Sequence, residues 1–344
     1  MNIGNKKMKT ETLTLIEIAI VLCLTLLVAL PVIADAQNIQ TGRVSVLTAP
    51  EDDFVLGIYG NANEDDTIDM RDLTYVKLIF FGERQETVLA DAKYDAEINP
   101  LDFVQIKLII VGKEKELTLL QYLGYPPDLI EKPVTVPMPI ERVVTLSNYA
   151  AEAVCTFGAQ DRIVGVTDGA KKKEREIKTL VRDKPSVGKG HDLGHGGFDL
   201  EKVLELRPDI VLTYSYRYYP DTDESFDDAG IPLVHMDFHQ PEKHSREISN
   251  LGWLLNNKDR AEELIDFEQQ HISLIKERVK DMEPEERTRA YYCLGVGYYG
   301  DPTHTAGSGT SKQNDIVLCG GINTFADVES YVAVDPEEII VRNP

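Results

Sequence analysis

The chain has 344 residues, with 58 Asp and Glu against 36 Lys and Arg and a formal net charge of −22. Such a length is room for roughly two or three domains. The acidity excludes a nucleic-acid partner, which would demand Lys and Arg patches against phosphate, and is the charge of a solvated surface.

At the N-terminus, Lys6, Lys7 and Lys9 precede an apolar run from Ile18 to Leu30, and Ala34-Asp35-Ala36 offers a small-x-small cleavage site. Residues 1–36 therefore read as a signal peptide, which puts the remainder outside the cytoplasm: secreted, periplasmic or at the cell surface. The alternative is an uncleaved anchor from Leu13 to Ile33, long enough for a bilayer but with Glu17 near its start. Cys23 lies inside the apolar run without the small residue before it that a lipoprotein signal needs. Cys155, Cys293 and Cys319 form no CxxC pair, so a zinc ribbon or redox motif is unsupported. Buried thiols are the preferred reading for them, with a Cys293–Cys319 disulfide as the alternative.

Next comes a passage written twice in register, Asn61 to Gly82 and Asp91 to Gly112. A twelve-residue calcium loop supplies oxygens from positions 1, 3, 5, 7, 9 and 12. In the first copy these are Asn61, Asn63, Asp65, the Thr67 carbonyl, Asp69 (directly or through water) and Asp72. In the second they are Asp91, Asp95, the Glu97 carbonyl, Asn99 and Asp102, with Lys93 at position 3 offering no lone pair. Ile68 and Ile98 at position 8 are apolar where two such loops pack together. Apolar residues then recur at helical spacing, Leu73, Val76, Leu78, Ile79 and Phe103, Ile106, Leu108, Ile109, and Gly82 and Gly112 stop the helices. The repeat resembles a type I dockerin over residues 54–120, with Asp in place of Glu at position 12. The resemblance implies a small all-α calcium-binding module that attaches to a cohesin-type partner. Position 6 departs from the calcium-loop pattern, carrying Asp66 and Ala96 where glycine makes the sharp turn. Two Ca2+ sites are expected, the second weaker because Lys93 brings a cation beside the metal.

Tyr125-Pro-Pro-Asp and Lys132-Pro-Val-Thr-Val-Pro-Met-Pro-Ile read as a proline-rich linker over residues 121–139, extended because proline blocks helix. From residue 140 the texture alternates. Arg142–Leu146, Ile163–Val166, Asp209–Thr213 and Ile231–His235 are β-branched strands. Ser147 and Asn148 can cap a helix through Phe157, and Lys171–Arg182 reads as a solvated helix. Helices over Ser245–Leu255 and Lys258–Met282 follow, then a second strand series from Arg289. Strands spaced by helices imply a parallel sheet.

Three stretches carry a second resemblance: Arg142-Val-Val-Thr-Leu-Ser147 through Arg162-Ile-Val-Gly-Val166; Asp199-Leu-Glu201 with Leu206-Arg-Pro-Asp209-Ile-Val-Leu212; and Ala306-Gly-Ser-Gly309 through Val334-Asp-Pro-Glu337. They resemble the periplasmic binding proteins of iron-siderophore, haem and cobalamin ABC importers, over about residues 133–344. The resemblance implies two α/β lobes, about 140–244 and 288–344, joined through connecting helices at 245–283, with Lys258–Met282 as a rigid rod permitting modest closure. It also implies an ABC permease partner and a second lobe expected to be truncated at Pro344. The expected whole is thus multidomain: an all-α dockerin followed by an α/β two-lobed binding protein occupying 140–344.

Loops at the carboxyl ends of parallel strands line the cleft in such sheets. Those loops hold Ser147, Lys189, His195, Tyr219, His235, Asp237 and His304, and the residues chosen as ligand-binding: Asn148, Tyr149, His191, Tyr214, Tyr216, Arg217, Tyr218, His239, Tyr298 and Tyr299. Tyrosines with an arginine suit a flat chelate or an anionic iron complex, such as haem, a ferric siderophore or a cobalamin-like ligand; ordinary aromatic packing is the alternative. His191 and His195 would share a helix face for a metal, but the glycines around them favour a loop. Gly295-Val-Gly297-Tyr-Tyr-Gly300 matches the dinucleotide fingerprint, yet Asp301-Pro302 blocks the helix that would hold the pyrophosphate. No nucleophile elbow, HExxH or kinase signature occurs, so no catalytic residue is assigned and a non-enzyme is expected. The competing readings are a secreted dockerin-borne enzyme of a multi-enzyme complex and a structural surface protein without a ligand.

Overall fold

The computed structural model describes residues 54–124, 129–172, 175–190, 197–216, 218–294 and 303–344. The expected signal peptide lies outside them, as do His191, His195, Arg217, Tyr298, Tyr299 and the fingerprint-like Gly295–Gly300. Among the described residues no helix is long and apolar enough to cross a membrane.

Two helices follow the duplicated loops where the spacing predicts them, α1 over Met70–Phe80 and α2 over Pro100–Ile110. Each begins with a reciprocal capping box, Asp69 with Asp72 and Asn99 with Asp102, which satisfies otherwise orphaned N–H groups. Val76, Ile106 and Ile109 bury their apolar faces, and Ile68 is buried beside them.

The stretch expected as a linker is instead paired strand on either side of Tyr125–Asp128, which lies outside the described residues. Strands β1 (Glu116–Leu123) and β2 (Ile130–Pro137) pair antiparallel from Glu116↔Pro137 to Leu123↔Ile130. Proline cannot donate to a ladder, but β2 is an edge strand, where Pro133 and Pro137 are tolerated. Ile58, just ahead of the first loop, pairs with Leu119 on the other edge of the hairpin. A side chain at Gly57 would stand 2.9 Å from the Leu120 carbonyl oxygen, so this close approach needs glycine.

The first lobe is a four-stranded parallel sheet. Its strands are β3 (Val143–Thr145), β4 (Ile163–Val166), β5 (Ile210–Thr213) and β6 (Leu233–His235), in the order β4-β3-β5-β6. The residues of β3, β5 and β6 are buried, as expected for strands covered on both faces. Between them run α3 (Asn148–Thr156), α4 (Lys178–Val181), α5 (Leu200–Leu206) and α6 (Pro220–Ala229). Lys171–Arg182 is not the solvated helix its charges predict. Among its described residues the one α-helix is the single turn α4, with Ile177 and Val181 buried, because two apolar anchors outweigh the charged run.

β6 is an edge strand covered by one side chain. The Gln121 amide of β1 accepts from the His235 N–H at 2.8 Å and donates to the Leu233 carbonyl at 3.4 Å. The core follows the same plan: one apolar cluster runs from Leu56, Val76, Ile106 and Leu119 through Ile140 and Val143 to Leu212, Ile248 and Trp253. The duplicated repeat and the first lobe therefore share one interior.

Helices α7 (Pro241–Leu254) and α8 (Lys258–Val279) lead out of the sheet, and the 22 residues of α8 match the expected connecting rod. The second lobe holds β7 (Arg289–Ala290) parallel to β9 (Ile322–Asn323), and β8 (His304–Ala306) antiparallel to β10 (Tyr331–Ala333). Helices α9 (Ser311–Leu318) and α10 (Pro336–Arg342) complete it. Cys293 and Cys319 are exposed rather than buried, and no disulfide joins the described cysteines.

Candidate functional site

The carboxyl ends of β3, β5 and β6 gather four of the sequence-selected side chains. Ser147 ends the turn after β3 and caps α3 by accepting from the Ala150 N–H at 3.3 Å, which presents Asn148 and Tyr149 at the helix start. Tyr214 and Tyr216 follow β5, and His239 follows β6. The Tyr149 ring stacks on His239 at 4.7 Å between centroids and 18° between planes. Tyr216 meets His239 edge-on at 5.4 Å, Tyr214 meets Tyr216 at 5.1 Å, and Tyr149 meets Tyr214 at 6.4 Å. Such offset and T-shaped pairs are the favourable aromatic geometries. Tyr149, Tyr216 and His239 are partly exposed, so the cluster keeps an open aromatic surface.

Other candidates fall elsewhere. The Asn148 amide oxygen accepts from the Thr167 hydroxyl at 3.4 Å, tying the start of α3 to the end of β4. A Cβ at Gly169 would stand 2.5 Å from that same oxygen, so the turn fits closely around it. Tyr218 lies against His235 at 6.2 Å. His235 is buried, with Nδ1 2.7 Å from the Tyr214 carbonyl and Nε2 3.2 Å from Asp223, and so serves the scaffold. Burial pushes the Asp223 carboxyl up, but bonds from His235 and Lys132 outweigh this and leave it below its ordinary value.

Two features escaped sequence reasoning. The Arg175 guanidinium stands 5.5 Å over the Tyr149 ring and pairs with Glu152 at 2.9 Å, placing a cation beside the aromatic surface. Within the charged run Lys171–Arg182 no spacing singles it out. The other is a polar network beneath the cluster around Asp237, a residue expected to line the cleft but fully buried. That carboxylate accepts from the N–H groups of Ser215 at 2.8 Å and Tyr216 at 3.1 Å, from the Ser215 hydroxyl and from the Gln240 amide at 2.8 Å. Lys243 Nζ lies 3.4 Å away. Glu247 accepts from the Asp237 and Phe238 N–H groups at 3.0 and 2.6 Å. Burial, with Asp237 alongside, pushes the Glu247 carboxyl up to about 7. This network fixes the backbone that carries Tyr216 and His239.

The duplicated loops close alike. Asp72 accepts from the Asn63 and Asp69 N–H groups at 3.2 and 2.8 Å, and Asp102 from those of Lys93 and Asn99 at 2.9 and 2.7 Å. Asp91 accepts from Asp95 and Ala96, Asp95 from Glu97, and Asp65 from Thr67. Ala96, at position 6, adopts the left-handed conformation with φ +68° that glycine usually takes. With the carboxylates turned onto loop amides, no three His, Cys, Asp or Glu side chains among the described residues gather about one point. The donor set nonetheless fits a hard divalent cation: it is all oxygen, from carboxylates, the amides of Asn61, Asn63 and Asn99, and the Thr67 and Glu97 carbonyls. Asp72 is fully buried, and burial pushes its carboxyl up to about 6, a cost that a bound cation would relieve. In the first loop Arg71 lies 3.1 Å from Asp65 and 2.9 Å from Asp69. Lys93 does not enter the second loop; its ammonium pairs with Glu116 of β1 at 2.8 Å. The long aliphatic stem carries the charge out of the loop, while position 3 of the second loop still supplies no oxygen, so the second donor set remains one ligand short of the first.

Comparison with known proteins bears on residues 143–344, which match the family model described as periplasmic binding protein. The chain is 23% identical over 207 residues to vitamin B12-binding proteins of Yersinia pestis (strain Pestoides F) and Yersinia pseudotuberculosis, covering 59% of this chain and 67% of theirs. The crystal structure of a periplasmic solute binding protein from Veillonella parvula is similar, with a TM-score of 0.51 and 22% identity over 65% of this chain and 66% of that one. The molybdate periplasmic binding protein of Haemophilus influenzae, with molybdate bound, gives 0.50 and 20% over 65% and 72%. The chain thus spans about two thirds of the length of these proteins. At such identities the structural likeness concerns the two-lobed α/β fold alone.

Proposed function

This chain belongs to the periplasmic binding protein family through residues 143–344, and on that premise we propose that it is an exported substrate-binding protein that delivers a flat or chelated metal complex to an ABC permease. Cobalamin, haem or a ferric siderophore are the ligands meant. The carrying observation is the partly exposed Tyr149–Tyr214–Tyr216–His239 cluster at the carboxyl ends of the parallel strands, with the Arg175 guanidinium over Tyr149. Stacking rings, phenol and imidazole donors and one cation suit a planar or anionic complex. Titrating the full chain with haemin, cyanocobalamin and a ferric siderophore, followed by absorbance, tests this. One saturable spectral change is expected, and the absence of one with all three counts against the reading.

The repeat is read as a calcium-dependent module that attaches the chain to a cohesin-type partner. Asn61, Asn63, Asp65, Thr67, Asp69 and Asp72 would hold one Ca2+, and Asp91, Asp95, Glu97, Asn99 and Asp102 the other. Support comes from the all-oxygen donor set and the two identically closed loops. Calcium should raise the melting temperature over that in chelator, and Asp72→Asn should cancel most of the gain. Identical melting with calcium and chelator would remove this assignment.

A further inference from the structure

The calcium loops and the aromatic cluster are connected by one strand. At the start of β1, Gln105 of α2 donates to the Glu116 carbonyl at 3.1 Å and Lys93 of the second loop pairs with the Glu116 carboxylate. Further along, the segment entering the first loop pairs with β1. The Tyr59 N–H donates to the Thr118 carbonyl at 2.9 Å, and the Leu120 N–H donates to the Gly57 carbonyl at 2.7 Å. The same segment is clamped by the loop itself, since the Leu56 N–H donates to the Asp65 carbonyl and the Asn61 amide donates to those of Leu56 and Asp65. On its other side the Gly57 N–H donates to Asn250 of α7.

At the far end the same strand holds the ligand cluster. Gln121 brackets β6 between Leu233 and His235, and the His235 ring is bonded to the Tyr214 carbonyl. The Gly124 N–H donates to the Ser215 carbonyl at 2.9 Å, between Tyr214 and Tyr216. Ser215 is thereby held from both sides, by β1 through its carbonyl and by Asp237 through its N–H. Eight residues of extended chain span about 27 Å, so β1 is a strut with the loops at one end and the cluster at the other.

We propose that cation occupancy of the loops regulates the ligand site through β1, with Gln121 as the positioning residue that transmits the change to the backbone of Tyr214–Tyr216. The proposal rests on the calcium reading of the loops given above. A cation held by the loop carboxylates would act on the Leu56–Gly60 segment that is bonded to β1, and the Gln121 and Gly124 bonds would carry that change to the ligand cluster. By linkage, a ligand in the cluster alters cation affinity by the same factor.

Two measurements on the full chain test this, with Ca2+ as the only probe. Isothermal titration reports cation binding, and amide hydrogen exchange reports protection at Ser215 and Tyr216. Calcium is expected to slow exchange there by about fivefold or more, the lower end of ordinary coupling. Gln121→Ala should bind calcium within about twofold of wild type yet lose the response at Ser215 and Tyr216, while Gln121→Glu, which keeps the acceptor for the His235 N–H, retains part of it. Should Gln121→Ala fail to fold, Gln121→Glu against wild type gives the comparison by itself, and an undiminished response there overturns the role of Gln121. Calcium binding without altered exchange at these amides overturns the coupling and leaves the calcium reading standing. No heat of binding overturns the calcium reading and the coupling together.

Discussion

Glu247 and Asp237 sit together in the interior below the aromatic cluster, and their charges cannot both be present without cost. Asp237 is compensated by five donors from Ser215, Tyr216, Gln240 and Lys243, so Glu247 is the partner that holds its proton, with its carboxyl pushed up to about 7 from 4.5. A carboxyl raised on folding leaves the native state binding more protons than the unfolded chain between those two values. Its contribution to stability is thus complete at low pH and lost as pH rises through about 7. Glu247→Gln keeps a neutral group in the same place. Relative to wild type it should melt a few degrees higher at pH 8 and alike at pH 5, as scanning calorimetry would show; a constant offset between the two proteins would contradict this account. At the surface of the cluster, Tyr216→Ala removes one ring of the stack. Ligand affinity should fall roughly twofold to tenfold with little change in melting temperature, measured by the same absorbance titration that identifies the ligand. The four rings of the cluster were findable in sequence because each follows a strand end, whereas Asn148, chosen by the same rule, is bonded to Thr167 instead. Arg175 was not findable, because its value comes from a ring that chain order alone does not bring near it.

Among the elements, the β1–β2 hairpin has the greatest leverage. Lys132 of β2 reaches Asp223 of α6 at 2.5 Å and Asp227 at 3.3 Å, and Asp223 is buried. Lys132→Met leaves His235 as the remaining ion-pair partner of that carboxylate among the described residues. The expected loss is on the order of 2 kcal/mol, less than for a fully buried pair because Lys132 is partly exposed; chemical denaturation would measure it, and no loss would mean that His235 alone holds Asp223. The hairpin was hidden in the sequence for a physical reason. Its prolines forbid a central strand but not an edge, and its partners are distant: Gln121 lies 112 residues from Leu233 and 114 from His235. Helices α1, α2, α7 and α8, by contrast, are written locally in apolar spacing and caps, and they stand close to where that spacing predicts. The four strands of the first lobe were equally legible as β-branched runs between helices.

For the whole molecule, the shared interior makes the repeat part of the binding lobe. Removing residues 1–139 would strip Leu56, Ile106 and Leu119 from the cluster that also contains Val143, Ile248 and Trp253, and would uncover the edge of β6. Exposed edges pair with other chains. The fragment 140–344 should therefore melt at least about 10 °C below the parent or aggregate, since several buried apolar residues at about 2–5 kcal/mol each lose their neighbours. Calorimetry and light scattering on the two proteins would decide it, and equal melting would show that the lobe is self-sufficient. The capping boxes have a consequence for how this interior comes apart. Asp72 and Asp102 each latch a loop through one carboxylate oxygen and start a helix through the other, so a single carboxylate serves both. Neither loop can spring open without fraying the first turn behind it. Loop and helix should therefore breathe as a single foldon, exchanging their amides in step rather than one after the other.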